Sequence, residues 1–77
     1  MAIFSVEGSG LIQTSTLPSG DMTVKHTGSG RVFDIVSGIC AGTGKGYWQP
    51  EYKNWIVHRQ FADAVLADFH RLATFIE

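Results

Sequence analysis

Seventy-seven residues, 44% of them hydrophobic and 17% charged, make one small globular domain near the lower size limit for independent folding, not a disordered chain. A net charge of −1 excludes a surface that coats nucleic acid wholesale, and the lone Cys40 excludes an internal disulfide and fits a reducing compartment. No apolar run reaches the length of a membrane span, and the first residues lack a basic, then apolar, leader. The expected location is therefore the cytoplasm, with no membrane partner.

Residues 2–6 (Ala-Ile-Phe-Ser-Val) predict a first strand, stopped by Gly8-Ser9-Gly10, and Leu11–Ser15 predicts a second. Leu17-Pro18-Ser19-Gly20-Asp21 is a turn, because Pro presets φ and Gly tolerates positive φ. From Asp21 to Thr27 the residues alternate: Met22, Val24 and His26 share one side, Thr23, Lys25 and Thr27 the other. That is the pattern of a half-buried strand. Gly28-Ser29-Gly30 breaks it, with Ser29 as the expected N-cap of a helix from about Gly30 to Ala41, whose Val32, Ile35/Val36 and Ile39/Cys40 recur at helical spacing. Gly42 is the expected residue after its C-terminus, and Cys40 falls on its apolar face, where a thiol is buried and inert.

Two short strands follow, about Gly46–Gln49 and Asn54–Val57, joined through Pro50–Lys53. In the last segment Phe61, Val65, Phe69, Leu72 and Ile76 form one apolar helical stripe, with Asp63 early and His70 and Arg71 late, as the helix dipole favours. The expected fold is a single α+β domain over residues 1–77, ordered β-β-β-α-β-β-α. Its mostly antiparallel sheet of four or five strands is packed on one face by the C-terminal helix, with a shorter helix alongside.

The chemical motifs are few. Ala41-Gly42-Thr43-Gly44-Lys45-Gly46 fails as a phosphate loop: Ile39 stands where the first glycine belongs, Gly46 follows the lysine, and the loop comes after a helix instead of opening one. His26, His58 and His70 have no metal-ligand spacing with Cys40, and His26 is expected to be a partly buried, hydrogen-bonded residue. The serines are spread along the chain with no elbow motif, and Asp63 and Asp68, five apart, do not share a helix face. The expectation is a non-catalytic protein without metal or cofactor.

The hairpin carries the remaining signal. Residues 44–57 hold four of the nine aromatics, Tyr47, Trp48, Tyr52 and Trp55, together with Lys45 and Lys53. Residues 25–59 sum to +3, with Lys25, Arg31, Lys45, Lys53 and Arg59 against Asp34 and Glu51, between two acidic ends of −2 each. At least one Trp is expected in the core against Phe61, Val65 and Phe69. Tyr47, Tyr52, Lys53 and Arg59 are expected to face outward, with Lys45 as a point charge. Aromatic and basic side chains together suit base stacking or a protein hot spot equally.

Gly46, Tyr47 or Trp48, Pro50, Lys53, Trp55 and Ile56 also carry a resemblance. The segment 33–69 resembles the small helix–hairpin–helix pattern of HARP-type domains in annealing helicases, and of short accessory domains borne on plasmids and phages. The resemblance implies association with branched or single-stranded DNA, and would reach Lys53, Trp55, Trp48 and Arg59. Three readings follow. The first is an accessory inhibitor of phage or plasmid type that docks on a protein of a host nucleic-acid-handling complex, in the manner of an anti-defence (anti-CRISPR-like) protein. The second is direct binding of single-stranded or branched DNA through the hairpin. The third is a structural homo-oligomer subunit using Tyr47 and Tyr52.

Overall fold

The structure, a computed structural model, describes residues 1–42 and 44–77. It is α+β: β1 (Ala2–Val6), β2 (Gly10–Thr16), β3 (Met22–His26), α1 (Arg31–Cys40), β4 (Gly46–Gln49), β5 (Asn54–Val57), a 3-10 turn at Arg59–Phe61, α2 (Ala62–Leu72) and β6 (Thr74–Phe75). All pairings are antiparallel, in the order β4-β5-β3-β2-β1-β6.

Strand alternation divides the sheet into two unlike faces. Phe4 and Val6 of β1, Ile12 of β2, Met22 and Val24 of β3 and Val57 of β5 share a face and one core cluster with Val32, Val36, Ile39 and Cys40 of α1 and Val65 and Phe69 of α2. Phe4 and Phe69 are fully buried with ring centroids 5.7 Å apart. Burying each such side chain contributes about 1.5–3 kcal/mol. Helix α1 packs over β2 and β3 and α2 over β1, so both helices lie on this face. The opposite face carries Gln13, Thr23, Lys25, Tyr47, Gln49, Asn54 and Ile56, and neither helix covers it. Burial at Cys40 pushes its thiol up to about 12, as an inert buried cysteine requires.

Four local expectations need correction. The sheet has a sixth strand: the terminal helix stops at Leu72, Ala73 is extended, and Thr74–Phe75 pairs with β1. Ile76, counted into the helical stripe, is exposed and donates its N–H to the Ile3 carbonyl (2.8 Å). Pairing the β1 edge satisfies backbone groups that a longer helix would leave open. Ser29 does not cap α1; Gly30 occupies the cap position without a side-chain bond. The cap comes from Ser9, whose Oγ accepts the Val32 N–H (2.9 Å) and donates to the Ser29 carbonyl. Two Gly-Ser-Gly segments thus meet, and a Cβ on Gly10 or Gly28 would run into the backbone of the other segment at Thr27 or Ser9. His26 is half-buried as expected, but its Nδ1 has no hydrogen-bond partner; its ring meets Phe33 edge-on at 5.8 Å. Gly42, after α1, returns its N–H to the Ser37 carbonyl (3.3 Å) without adopting positive φ. Thr43, within the glycine-rich connection, lies outside the described residues.

Candidate functional site

The uncovered face carries a cleft of about 650 Å³ where β3, β5 and β4 run between two turns. Ile56 is its floor. That side chain is 7% exposed yet stands outside the helix-covered core, since it points the other way from Trp55 and Val57. Thr23 and Tyr47 flank it as cross-strand neighbours. Leu17, Ser19 and Asp21 from the β2–β3 turn form one wall, and Tyr47, Tyr52 and Gln49 from the hairpin the other.

Local structure fixes these walls. Asp21 Oδ1 accepts the Arg59 N–H (2.8 Å), tying the β2–β3 turn to the segment that leads into α2. Tyr47 lies 5.8 Å from the His58 ring, which braces it at the sheet margin. The hairpin turn closes with the Lys53 N–H on the Pro50 carbonyl (3.3 Å), and Lys53 sits at φ 52, in the left-handed region. Tyr52, at the tip, is 63% exposed, and Tyr47 is 49% exposed.

Charge in the cleft is balanced. Lys25 and Asp21 are its charged lining residues, one of each sign. Asn54 also lines the cleft, but its Oδ1 is turned inward as a buried acceptor without a donor among the described residues. An occupant that offers an acceptor to Lys25 would meet an apolar floor and two phenol rings.

The seven residues singled out from sequence do not share one surface. Tyr47 and Tyr52 line the cleft. Trp48 and Trp55 point to the helix-covered side, as a cross-strand pair with ring centroids 5.4 Å apart and planes at 66°. Trp55 is half-buried against the core, opposite Val24, with its Nε1 unpartnered, whereas Trp48 is 44% exposed. The Trp expected in the core is thus Trp55, and only in part. Lys45 turns to α2 and pairs with Asp68 at 3.8 Å. Lys53 is at the hairpin tip, and Arg59 stands beside the second turn, its side chain against Gly20. Sequence reasoning missed Lys25, Asn54 and Ile56 as cleft residues. The alternation of β3 had already put Lys25 on the solvent side, but only the β3–β5 register sets it beside the hairpin.

No family model, curated protein or solved structure matches this chain. Its geometry therefore stands by itself. Among the described residues no helix is long and apolar enough to cross a membrane.

Proposed function

We propose that this chain is a non-catalytic, cytoplasmic binding protein that docks through the uncovered face of its sheet on a protein of a nucleic-acid-handling complex and blocks it. The observation that carries this reading is the electrically balanced, tyrosine-walled cleft over Ile56. Tyrosine is enriched at protein hot spots because a rigid ring covers much area at low entropy cost and keeps a polar tip. Phage- or plasmid-type inhibition of a host complex is supported by the small size of the chain, the hot-spot residue types of its hairpin and the resemblance of residues 33–69 to accessory domains of mobile elements.

Direct binding of single-stranded or branched DNA is the competing reading, favoured by exposed rings on an antiparallel sheet face. The charges weigh against it. Lys45 is engaged with Asp68, the cleft lining holds a single cation, Lys25, and also the anion Asp21, and Lys53 and Arg59 stand at different turns. The salt slope on single strands is about −0.7 per phosphate neutralised, so a site that meets so few phosphates shows a shallow total slope. The test compares two ligands. Fluorescent single-stranded and forked oligonucleotides are titrated at low and high salt, and tagged protein is used to capture host proteins for identification. Capture of a nucleic-acid-processing protein without nuclease sensitivity, and no oligonucleotide binding at low salt, is the expected result. Tight, steeply salt-dependent oligonucleotide binding would replace docking by the nucleic-acid reading.

A further inference from the structure

Strand β4 is the outer strand of the sheet, bounded by Lys45 and Pro50 but unprotected within its own four residues. Gly46, Tyr47, Trp48 and Gln49 carry no charge, no proline and no bulge, the devices by which edge strands avoid pairing. The opposite edge is a strand of only two residues, Thr74–Phe75, which is itself such a device. On β4 the parity of the ladder is set by the His58 N–H bond to the Lys45 carbonyl (3.2 Å). Antiparallel alternation then makes Tyr47↔Ile56 and Gln49↔Asn54 the hydrogen-bonded pairs and Trp48↔Trp55 a non-hydrogen-bonded one. The N–H and C=O groups of Gly46 and Trp48 consequently point away from the sheet.

We propose that two copies of this chain pair through β4, antiparallel, about a two-fold axis at Tyr47. Both partners must present outward-pointing groups and matching faces, which restricts the register. Centred on Tyr47, Gly46 of each copy exchanges backbone bonds with Trp48 of the other, and the two Tyr47 rings meet on the uncovered face. Centring one residue later, on Trp48, would set Gly46 against Pro50, which has no N–H to give. The Tyr47 register also leaves the Trp48 indole opposite a glycine, where there is room for it. A two-fold axis normal to the sheet makes the pairing antiparallel and keeps the uncovered faces of both copies on one side. A four-residue ribbon falls short of the ~1,200 Å² of a standard stable interface, so the dimer forms and dissociates with concentration. The two clefts then lie side by side on one continuous face.

Sedimentation of the wild-type chain from micromolar to millimolar concentration tests the association, and a mass that rises toward two chains is expected. Tyr47→Lys, which sets two cations face to face at the axis, should hold the protein monomeric with an unchanged circular dichroism spectrum. Register is read by oxidation of single-site variants, for which the buried Cys40 is silent. Tyr47→Cys should cross-link at least tenfold faster than Gln49→Cys. A wild-type chain that stays monomeric throughout, or equal cross-linking at positions 47 and 49, overturns the proposal. Neither result bears on partner capture through the cleft, which is measured separately.

Discussion

Replacing Ser9 by Ala removes a helix cap that is supplied from another element. Ser9 Oγ is the acceptor for the Val32 N–H at 2.9 Å, in a part-buried position, and it also holds the Ser29 carbonyl. Loss of an N-cap costs about 0.5–2 kcal/mol, and a part-buried N–H left without a partner adds to the upper end of that range. We expect Ser9→Ala to destabilise the fold by about 1–2 kcal/mol. With an unfolding entropy of about 2.1 cal/mol/K per residue over this chain length, that is a drop in Tm of about 6–12 °C. Urea denaturation followed by far-UV circular dichroism measures it, with Ser29→Ala as the control. The Ser29 side chain makes no capping bond to α1, so its removal should shift stability by less than about 0.5 kcal/mol. A larger loss at Ser29 than at Ser9 would refute the assignment of the cap and the packing of the two Gly-Ser-Gly segments.

Three other outcomes are expected. Trp55→Ala should cost about 2–4 kcal/mol, below the figure for a fully buried ring, and Trp48→Ala about 0.5–1.5 kcal/mol, chiefly the lost ring pair; chemical denaturation that reverses this order contradicts their placement. Alkaline stability should depend on Cys40. Below pH 9 the thiol is protonated in both folded and unfolded chains, and between 9 and about 12 only the unfolded chain ionises. Stability therefore falls with rising pH by up to about 1.4 kcal/mol per unit, and Cys40→Ala should remove that component; identical pH slopes for the two proteins would show the thiol to be accessible. Asp68→Ala, which frees Lys45 and Arg71, should change stability by less than about 1 kcal/mol, since these pairs are partly exposed and long, and a double-mutant cycle with Lys45→Ala reads the coupling directly.

Most of the fold was legible because it is written in short-range patterns. The alternation of Met22, Val24 and His26 and the helical spacing of Val32, Val36 and Ile39 each report one element without reference to the rest. What escaped depends on partners distant in sequence. Ile76 continues the helical stripe numerically, yet the Ile3 backbone needs a neighbour and draws the chain into β6 instead. Ser29 is the nearest capping residue to α1, but the one that bonds lies 23 positions before Val32. The hairpin was visible as an aromatic cluster, while the division of its rings between two faces was not. Tyr47 and Trp48 are neighbours in sequence and opposites in space, and only pairing with β5 decides which one looks toward the helices. Lys45 counted toward a basic surface until the fold set it against Asp68.

The central claim is that the cleft over Ile56 is the docking surface, and one comparison addresses it most directly. Tyr47→Ala combined with Tyr52→Ala removes both exposed rings of the cleft wall without touching the core, so the variant should keep its circular dichroism spectrum and melt within a few degrees of the wild type. Partner capture by this folded variant should drop at least tenfold, while Trp48→Ala, on the other side of the sheet, should capture as the wild type does. Undiminished capture by the tyrosine variant would move the contact away from the cleft, and loss with Trp48→Ala alone would place it on the helix-covered side; either result contradicts the account.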